Sequence, residues 1–118
     1  MNTHIGGVIG ETEACLYLEK AGLKILDRNY SRAGGEIDII AQDGDTVAFI
    51  EVKARRSPRY GSPAEAVTPA KMRNIVRASL CYMQSHKLMD ASVRFDVITV
   101  EGEDIAYIRN AFDATNLI

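Results

Sequence analysis

Two short segments place carboxylates and a lysine in a pattern that suits phosphodiester chemistry. The first, Gly-Glu-Ile-Asp, carries Glu36 and Asp38. The second, Glu-Val-Lys, carries Glu51 and Lys53. Both lie in runs rich in β-branched and aromatic residues, which predict strands. Since alternate residues of a strand share a face, Glu36 and Asp38 should point to one side of their strand, and Glu51 and Lys53 to one side of theirs.

A turn between the two predicted strands decides whether these pairs meet. Asp-Gly at residues 43 and 44 is a strong hairpin signal. A two-residue turn there pairs Gln42 with Asp45 and makes Asp38 and Glu51 diagonal neighbours on one face. A three-residue turn without a bulge would put the two carboxylates on opposite faces. We expect the two-residue turn and therefore a cluster of carboxylates.

Such a cluster favours a divalent cation. Carboxylates that converge repel one another, so that their pKa values rise or a cation is needed between them. Oxygen ligands at this spacing suit Mg²⁺ (or Mn²⁺), which binds one or two carboxylates, several waters and a substrate phosphate. Lys53 would orient or help to deprotonate the attacking water, or neutralise charge in the transition state. The alternative is structural, because exposed Glu, Asp and Lys are common on edge strands; these residues alone leave both interpretations open.

The elements that must position the cluster follow from hydrophobic periodicity. Residues 10–22 predict a helix with Glu11 and Glu13 in its first turn, and Pro69 suits the first position of a second helix that ends near His86. The expected apolar stripe of the second helix consists of Met72, Ile75, Val76, Leu80 and Met83. Strands are predicted at 23–30, 36–42, 46–53, 93–100 and 105–110. The order α-β-β-β-α-β-β indicates a mixed sheet between helices, with the third and fourth strands parallel.

Length and composition indicate an ordinary globular domain. The chain has 118 residues, 47% of them hydrophobic, which predicts a single domain over 1–118 with 111–118 as a loose tail. No apolar run is long enough to cross a bilayer, and the N-terminus lacks the pattern of a signal peptide, so we expect no membrane association and a cytoplasmic location. Cys15 and Cys81 fall on the apolar sides of the predicted helices, as reduced buried thiols do.

Charge is distributed unevenly along the chain. The net charge is −2, but residues 53–77 hold seven basic residues and one acidic residue, so that this segment is +6 and the rest is −8. Such asymmetry is typical of a basic face that contacts nucleic acid, although solvated surface charge explains it equally well. The candidates for phosphate contacts are Arg55, Arg56 and Arg59 in a Gly/Pro loop and Lys71, Arg73 and Arg77 on the polar side of the second helix.

Several motifs together carry a family resemblance. They are Gly10-Glu11-x-x-Ala14, Arg28-Asn29-Tyr30, Gly35-Glu36-Ile37-Asp38, Phe49-Ile50-Glu51-Val52-Lys53 and Arg94-Phe95-Asp96-Val97, within residues 5–100. The sequence resembles the YraN family of small bacterial proteins, which is grouped with the PD-(D/E)XK nuclease superfamily and is similar to archaeal Holliday junction resolvases. The resemblance implies an α/β fold with a restriction-endonuclease-like core, αβββαβ, and a mixed central sheet flanked by helices.

The resemblance also implies roles for individual residues. Asp38, Glu51 and Lys53 occupy the superfamily's catalytic positions, although Ile37 stands where the superfamily motif has proline. Glu11 would reach the site from the first helix as a further metal ligand or base, beside the metal ligands Asp38 and Glu51. Glu36 would add a ligand or hold a water. Asp96 is better explained as a strand residue bonded to a neighbouring loop.

The expected function is that of a Mg²⁺-dependent endonuclease that hydrolyses phosphodiester bonds in DNA, including branched or structured DNA. A homodimer is expected by analogy with the resolvases, since paired sites would cut both strands. Two alternatives stay open: a non-catalytic module that binds nucleic acid through the basic segment, and a scaffold in a DNA-processing complex. A binding module should lose affinity with salt and ignore Mg²⁺, whereas a nuclease needs the metal.

Overall fold

The described residues form a five-stranded mixed sheet with one helix on each face. The computed structural model describes residues 3–55 and 67–114, with side chains described over 10–54 and 67–114. The elements are α1 (Thr3–Lys20), β1 (Lys24–Arg32), β2 (Gly35–Asp43), β3 (Thr46–Arg55), α2 (Pro69–Ser85), β4 (Ser92–Glu101) and β5 (Asp104–Phe112). The strand order is β1-β2-β3-β4-β5, with β3 and β4 parallel and the other pairs antiparallel. The predicted α/β class and element order are confirmed, and the architecture is compatible with a restriction-endonuclease-like core.

Each face of the sheet buries its own apolar core. On one face, Phe49, Val97 and Ile37 pack with α2 residues such as Ile75 and Tyr82. On the other face, strand residues pack with α1; this second cluster comprises Ala14, Cys15, Leu18, Leu23, Ile39, Ala41, Ala48, Ile50, Ile98 and Val100. The central strands are apolar on both faces because both faces are covered. The two cores clamp β2 and β3, which carry the predicted chemistry.

The ends of several elements differ from the prediction. α1 begins at Thr3 rather than Gly10, so Glu11 and Glu13 lie inside the helix and its first turn contains no acidic residue. Two consecutive glycines, Gly6 and Gly7, disguise this first part of the helix because glycine disfavours helix formation. β5 continues through Phe112, two residues into the stretch expected to be a loose tail.

The hairpin between β2 and β3 turns one residue later than predicted. Asp43 pairs with Thr46, so the turn is Gly44-Asp45 rather than Asp43-Gly44. Gly44 has φ +60°, and hairpin turns of two residues need a positive φ at their first position, which glycine adopts without strain. Because both ends of the turn move by one residue, residues that were predicted to share a face still share it.

The buried face of α2 is rotated from the predicted stripe. Ile75, Val76, Ser79, Tyr82 and Met83 are buried, whereas Leu80 is 43% exposed. Tyr82 replaces Leu80 because its ring packs edge-on against Phe49 in the core and against Tyr30 of β1. This rotation brings the flank of the helix that carries Lys71 over the sheet.

Two further expectations concern the helices. Neither α1 nor α2 combines the length and the hydropathy that a membrane-spanning helix requires; this statement covers the described residues. Cys15 is buried on α1, as predicted, whereas Cys81 on α2 is only half-buried; both are free thiols. Burial raises the pKa of the Cys15 thiol, which is therefore protonated and unreactive at neutral pH.

Candidate active site

The site lies where β2 and β3 separate. Their backbone pairing runs from Asp43–Thr46 to Ile39–Ile50 and ends there. Beyond this point the N–H of Val52 donates instead to Oδ2 of Asp38, at 2.8 Å. The Asp38 carboxylate thus satisfies a backbone donor that the neighbouring strand no longer reaches, which anchors the side chain at the opening between the strands.

A local distortion of β2 accompanies this opening. Ile37 packs in the core under α2, whereas Ile39 packs in the core under α1. On a regular strand, residues that are two positions apart share one face. Asn29, which lies between the partners of Ile37 and Ile39 on β1, has φ +53°. Asp38 therefore sits at an interruption of the strand, where a side chain can be aimed away from the regular pleat.

Glu51 is held in the site by two lysines. It is only 5% exposed and lies on the α2 face of β3. Lys71 of α2 places Nζ 2.6 Å from Glu51 Oε1, and Lys53 places Nζ 3.6 Å from the same oxygen. The predicted sharing of a face by Glu51 and Lys53 is confirmed. Because a buried carboxylate needs a counter-charge, the two ammonium groups make the burial of Glu51 tolerable.

The surroundings of Asp38, unlike those of Glu51, disfavour the charged form of the carboxyl. Burial raises the pKa of Asp38 to about 7, and the nearby negative charge of Glu51 adds to the effect. The hydrogen bond from Val52 and the positive charge of Lys71 lower this pKa, but they do not offset the first two causes. Asp38 and Glu51 are therefore close enough to repel each other, as the cluster hypothesis requires.

The pKa values of the two lysines are shifted in opposite directions. Burial lowers the pKa of Lys53, and the neighbouring Lys71 lowers it further. Burial also disfavours the charged form of Lys71, but its hydrogen bond to Glu51 and the charge of Glu51 outweigh burial and raise the pKa of Lys71. Lys71 is thus the firmer counter-ion of Glu51, and Lys53 is the lysine that gives up a proton more readily.

A cavity of about 210 Å³ opens between the start of β2 and the first turns of α2. Its lining comprises Gly34, Gly35, Glu36, Asp38, Glu51, Lys71, Asn74 and Ile75. Glu36 is exposed at this cavity, so the structure brings it to the same opening as Asp38 and Glu51. The cavity therefore gathers three carboxylates and a lysine at one opening.

Two glycines allow the helices to approach the site. A Cβ added at Gly35 would lie 2.7 Å from the carbonyl carbon of Asn74 and closer still to its oxygen, so α2 rests directly on the start of β2. A Cβ added at Gly10 would lie 2.7 Å from the Cβ of Ala54, so α1 rests on the end of β3. Each glycine immediately precedes a predicted site residue, Glu36 or Glu11.

Glu11 approaches from α1, the helix on the other face of the sheet. Its charge contributes to the raised pKa of Asp38. Its Oε1 is buried and has no hydrogen-bond partner within the described part of the chain. Among the described residues, no three His, Cys, Asp or Glu side chains form a group arranged to hold a metal. Asp38 and Glu51 are thus joined in the site, and Glu11 is a neighbour with an unpaired oxygen rather than a third member.

The predicted phosphate-binding residues fall into three groups. Arg56, Arg59 and the side chain of Arg55 lie outside the described residues and side chains. Arg73 and Arg77 are exposed on α2, and Arg77 donates to Oδ1 of Asn74, a residue that lines the cavity. Lys71 contacts Glu51 while its side chain stays partly exposed, and its predicted contact with phosphate stays a prediction.

The N-cap of α2 fixes the position of the Lys71 backbone. Thr68 caps the N-terminus of α2, and its Oγ1 accepts from the backbone N of Lys71 at 3.2 Å. Pro69 occupies the first turn, so Thr68-Pro69 defines where the helix starts. This cap could have predicted the position of Lys71 at the helix start, although not its contact with Glu51.

Asp96 lies in a buried hydrogen-bond network between β4 and β5. It is fully buried and accepts hydrogen bonds from the Arg94 guanidinium at 2.9 Å, from the backbone N of Asn110 at 2.8 Å and from the Tyr107 hydroxyl. Arg94 also binds Asp43 at 2.9 Å. With these donors the Asp96 carboxylate has no need of a metal. The prediction of a structural strand residue is confirmed, except that its partners come from strands rather than a loop.

Comparison with known proteins identifies relatives over most of the chain. The model of the uncharacterised protein family UPF0102 matches residues 10–100. A UPF0102 protein of Syntrophus aciditrophicus is 50% identical over 111 residues, covering 91% of this chain and 87% of that protein. UPF0102 protein GSU0650 of Geobacter sulfurreducens is 45% identical over 112 residues, covering 91% and 88%. A UPF0102 protein of Desulfosudis oleivorans is 50% identical over 107 residues, covering 89% and 87%.

Proposed function

The chain belongs to the uncharacterised protein family UPF0102, the YraN family named above, and we propose that it hydrolyses phosphodiester bonds in nucleic acid with a divalent cation. The proposal rests on the geometry of the site. The observation that carries the proposal is the convergence of Asp38 and Glu51 on one cavity beside two lysines. Repelling carboxylates that are partly buried beside lysines in a cavity are typical of functional sites.

The donors present fit Mg²⁺ or Mn²⁺. Asp38 and Glu51 offer hard oxygen ligands, and Mg²⁺ commonly takes one or two carboxylates while substrate phosphate and waters complete its shell. The charge of Glu51 adds to burial in raising the pKa of Asp38, and Oε1 of Glu11 has no partner among the described side chains, so carboxylate oxygens are available to a cation here. When bound, such a cation supplies Lewis-acid stabilisation of the phosphate and a more acidic water.

The remaining site residues have separate tasks. Lys53, whose pKa burial lowers, would orient the attacking water and take up or return its proton. Glu36, at the edge of the cavity, would hold a water by hydrogen bonding. Glu11 would face the cation from the α1 side. These side chains come from α1, β2 and β3, whose relative positions the two cores hold rigidly.

We further propose DNA as the substrate, with branched or structured sites included, and a homodimer as the working form. The support is the resemblance to resolvases and the +6 charge of residues 53–77. Arg77 adds a local argument, since its hydrogen bond to Asn74 places a guanidinium beside the cavity. Such contacts position a nucleic-acid backbone without reading its sequence.

A cleavage panel tests the proposal. Labelled single-stranded, duplex and four-way-junction DNA would be incubated with wild type, Glu51→Gln and Lys53→Met in Mg²⁺, Mn²⁺ or EDTA. Asp90→Asn, which changes an exposed loop carboxylate, is the matched control. We expect metal-dependent cleavage that falls by about 10²-fold or more in both site variants and is unchanged in the control. Cleavage by Glu51→Gln at the wild-type rate would remove this site from the reaction.

Two observations favour the non-catalytic alternative. Lys71 and Lys53 already neutralise Glu51, and the described residues provide no ready three-ligand metal group. A module that binds nucleic acid through its basic segment needs no more than this. Fluorescence anisotropy with labelled DNA separates the two functions: binding that weakens with salt, is the same in Mg²⁺ and EDTA, and is never followed by cleavage supports the module.

A further inference from the structure

We propose that Lys71 regulates this site: in the metal-free protein it occupies Glu51 Oε1, and it competes with the divalent cation for that oxygen. The inference deepens the proposed function and rests on it. Sequence motifs assign one lysine, Lys53, to the site. The structure adds a second lysine from a different element.

Geometry distinguishes the two lysines. Lys71 Nζ is 1.0 Å closer to Glu51 Oε1 than Lys53 Nζ is, at 2.6 Å against 3.6 Å. Lys53 lies two residues from Glu51 on the same strand, so its backbone is fixed relative to the carboxylate. Lys71 reaches across from α2, where Thr68 anchors its backbone N–H, and its long side chain alone makes the contact.

The exposure of Lys71 shows that its side chain can move into solvent. Its side chain is 41% exposed, compared with 24% for Lys53, whereas Glu51 is 5% exposed. The ammonium of Lys71 therefore sits at the boundary between the buried carboxylate and solvent. A lysine in this position can leave its partner by rotating side-chain bonds, without opening either core.

The balance of charges in the site makes the Lys71–Glu51 ion pair depend on whether a cation is bound. Asp38 and Glu51 carry two negative charges when ionised, and Lys53 and Lys71 carry two positive ones. A divalent cation bound to the carboxylates replaces the charge that the lysines supply and repels an ammonium on the same oxygen. Lys71 should therefore weaken cation binding at Glu51.

Calorimetric titration of Mn²⁺ tests this competition with a readout that does not depend on cleavage. The proteins are wild type, Lys71→Met, Lys71→Arg and Lys24→Met, in which an exposed lysine at the start of β1 undergoes the same chemical change. We expect Lys71→Met to bind Mn²⁺ about tenfold more tightly than wild type, as removal of one competing charge predicts. Lys71→Arg and Lys24→Met should bind like wild type.

A merely structural lysine would give the opposite result. Its loss would disorder Glu51, so Lys71→Met would bind Mn²⁺ equally well or less well than wild type, and this outcome overturns the proposal while leaving the metal site intact. Binding by Lys71→Met alone would support competition in its strongest form. Failure of all four proteins to bind Mn²⁺ would refute the metal site of the proposed function, and the competition with it.

Discussion

Replacement of Asp38 by asparagine should stabilise the protein at alkaline pH in the absence of metal. Asparagine has nearly the same shape, and its side-chain oxygen can still accept the hydrogen bond from Val52 that anchors Asp38. The substitution removes only the ionisable carboxyl. Because a site residue is being neutralised, the expected gain in stability comes with a loss of metal binding.

The sign and size follow from the pKa of Asp38. It is 3.8 for the ordinary side chain and about 7 in the fold, where burial and Glu51 oppose ionisation. Between these values the folded state keeps a proton that the unfolded state has lost, so stability falls as pH rises from about 4 to about 7 and then levels off. The full shift corresponds to roughly 4 kcal/mol. Solvent reaches part of the side chain and screens this cost, so we expect about 1–2 kcal/mol.

Urea unfolding in EDTA at pH 4.5 and pH 8 measures this effect. Wild type is compared with Asp38→Asn, and Asp90→Asn serves as the exposed control. The stability difference between Asp38→Asn and wild type should move in favour of the variant by about 1–2 kcal/mol from pH 4.5 to pH 8. The reasoning is refuted if that difference is the same at both pH values, or if the control shifts as much.

Two further substitutions test the packing around the site and the buried network. Gly35→Ala should destabilise the fold by about 1–3 kcal/mol, because its Cβ would collide with the Asn74 carbonyl of α2; an unchanged urea midpoint would show that α2 does not rest on β2. Tyr107→Phe should cost about 1–3 kcal/mol, because the buried Asp96 loses a donor, while metal binding stays at the wild-type level; weakened Mn²⁺ affinity would connect this network to the site.

Much of the site was predictable because strands obey parity. Glu51 and Lys53 share a face on any strand, and an even-residue turn keeps Asp38 on the face of Glu51 even though the turn is one residue later than predicted. The parallel pairing of β3 with β4 likewise follows from a helix between two strands. Periodicity and topology suffice for these features.

Other features depend on packing that no local pattern encodes. The orientation of α2 buries Tyr82 rather than Leu80 and brings Lys71 to Glu51. The anchoring of Asp38 depends on where two strands separate, and the start of α1 is hidden by consecutive glycines. A side chain that reaches from one element to another is visible only once both elements are in place.

The central claim is that Asp38 and Glu51 jointly hold a divalent cation, and calorimetric titration of Mg²⁺ and Mn²⁺ tests it most directly. Wild type and Asp38→Asn would be titrated with and without a non-cleavable DNA that supplies a phosphate ligand. We predict binding of about one or two cations per chain in wild type and its loss in Asp38→Asn. Equal binding by both proteins, or no binding by wild type at millimolar metal even with DNA, would contradict the claim.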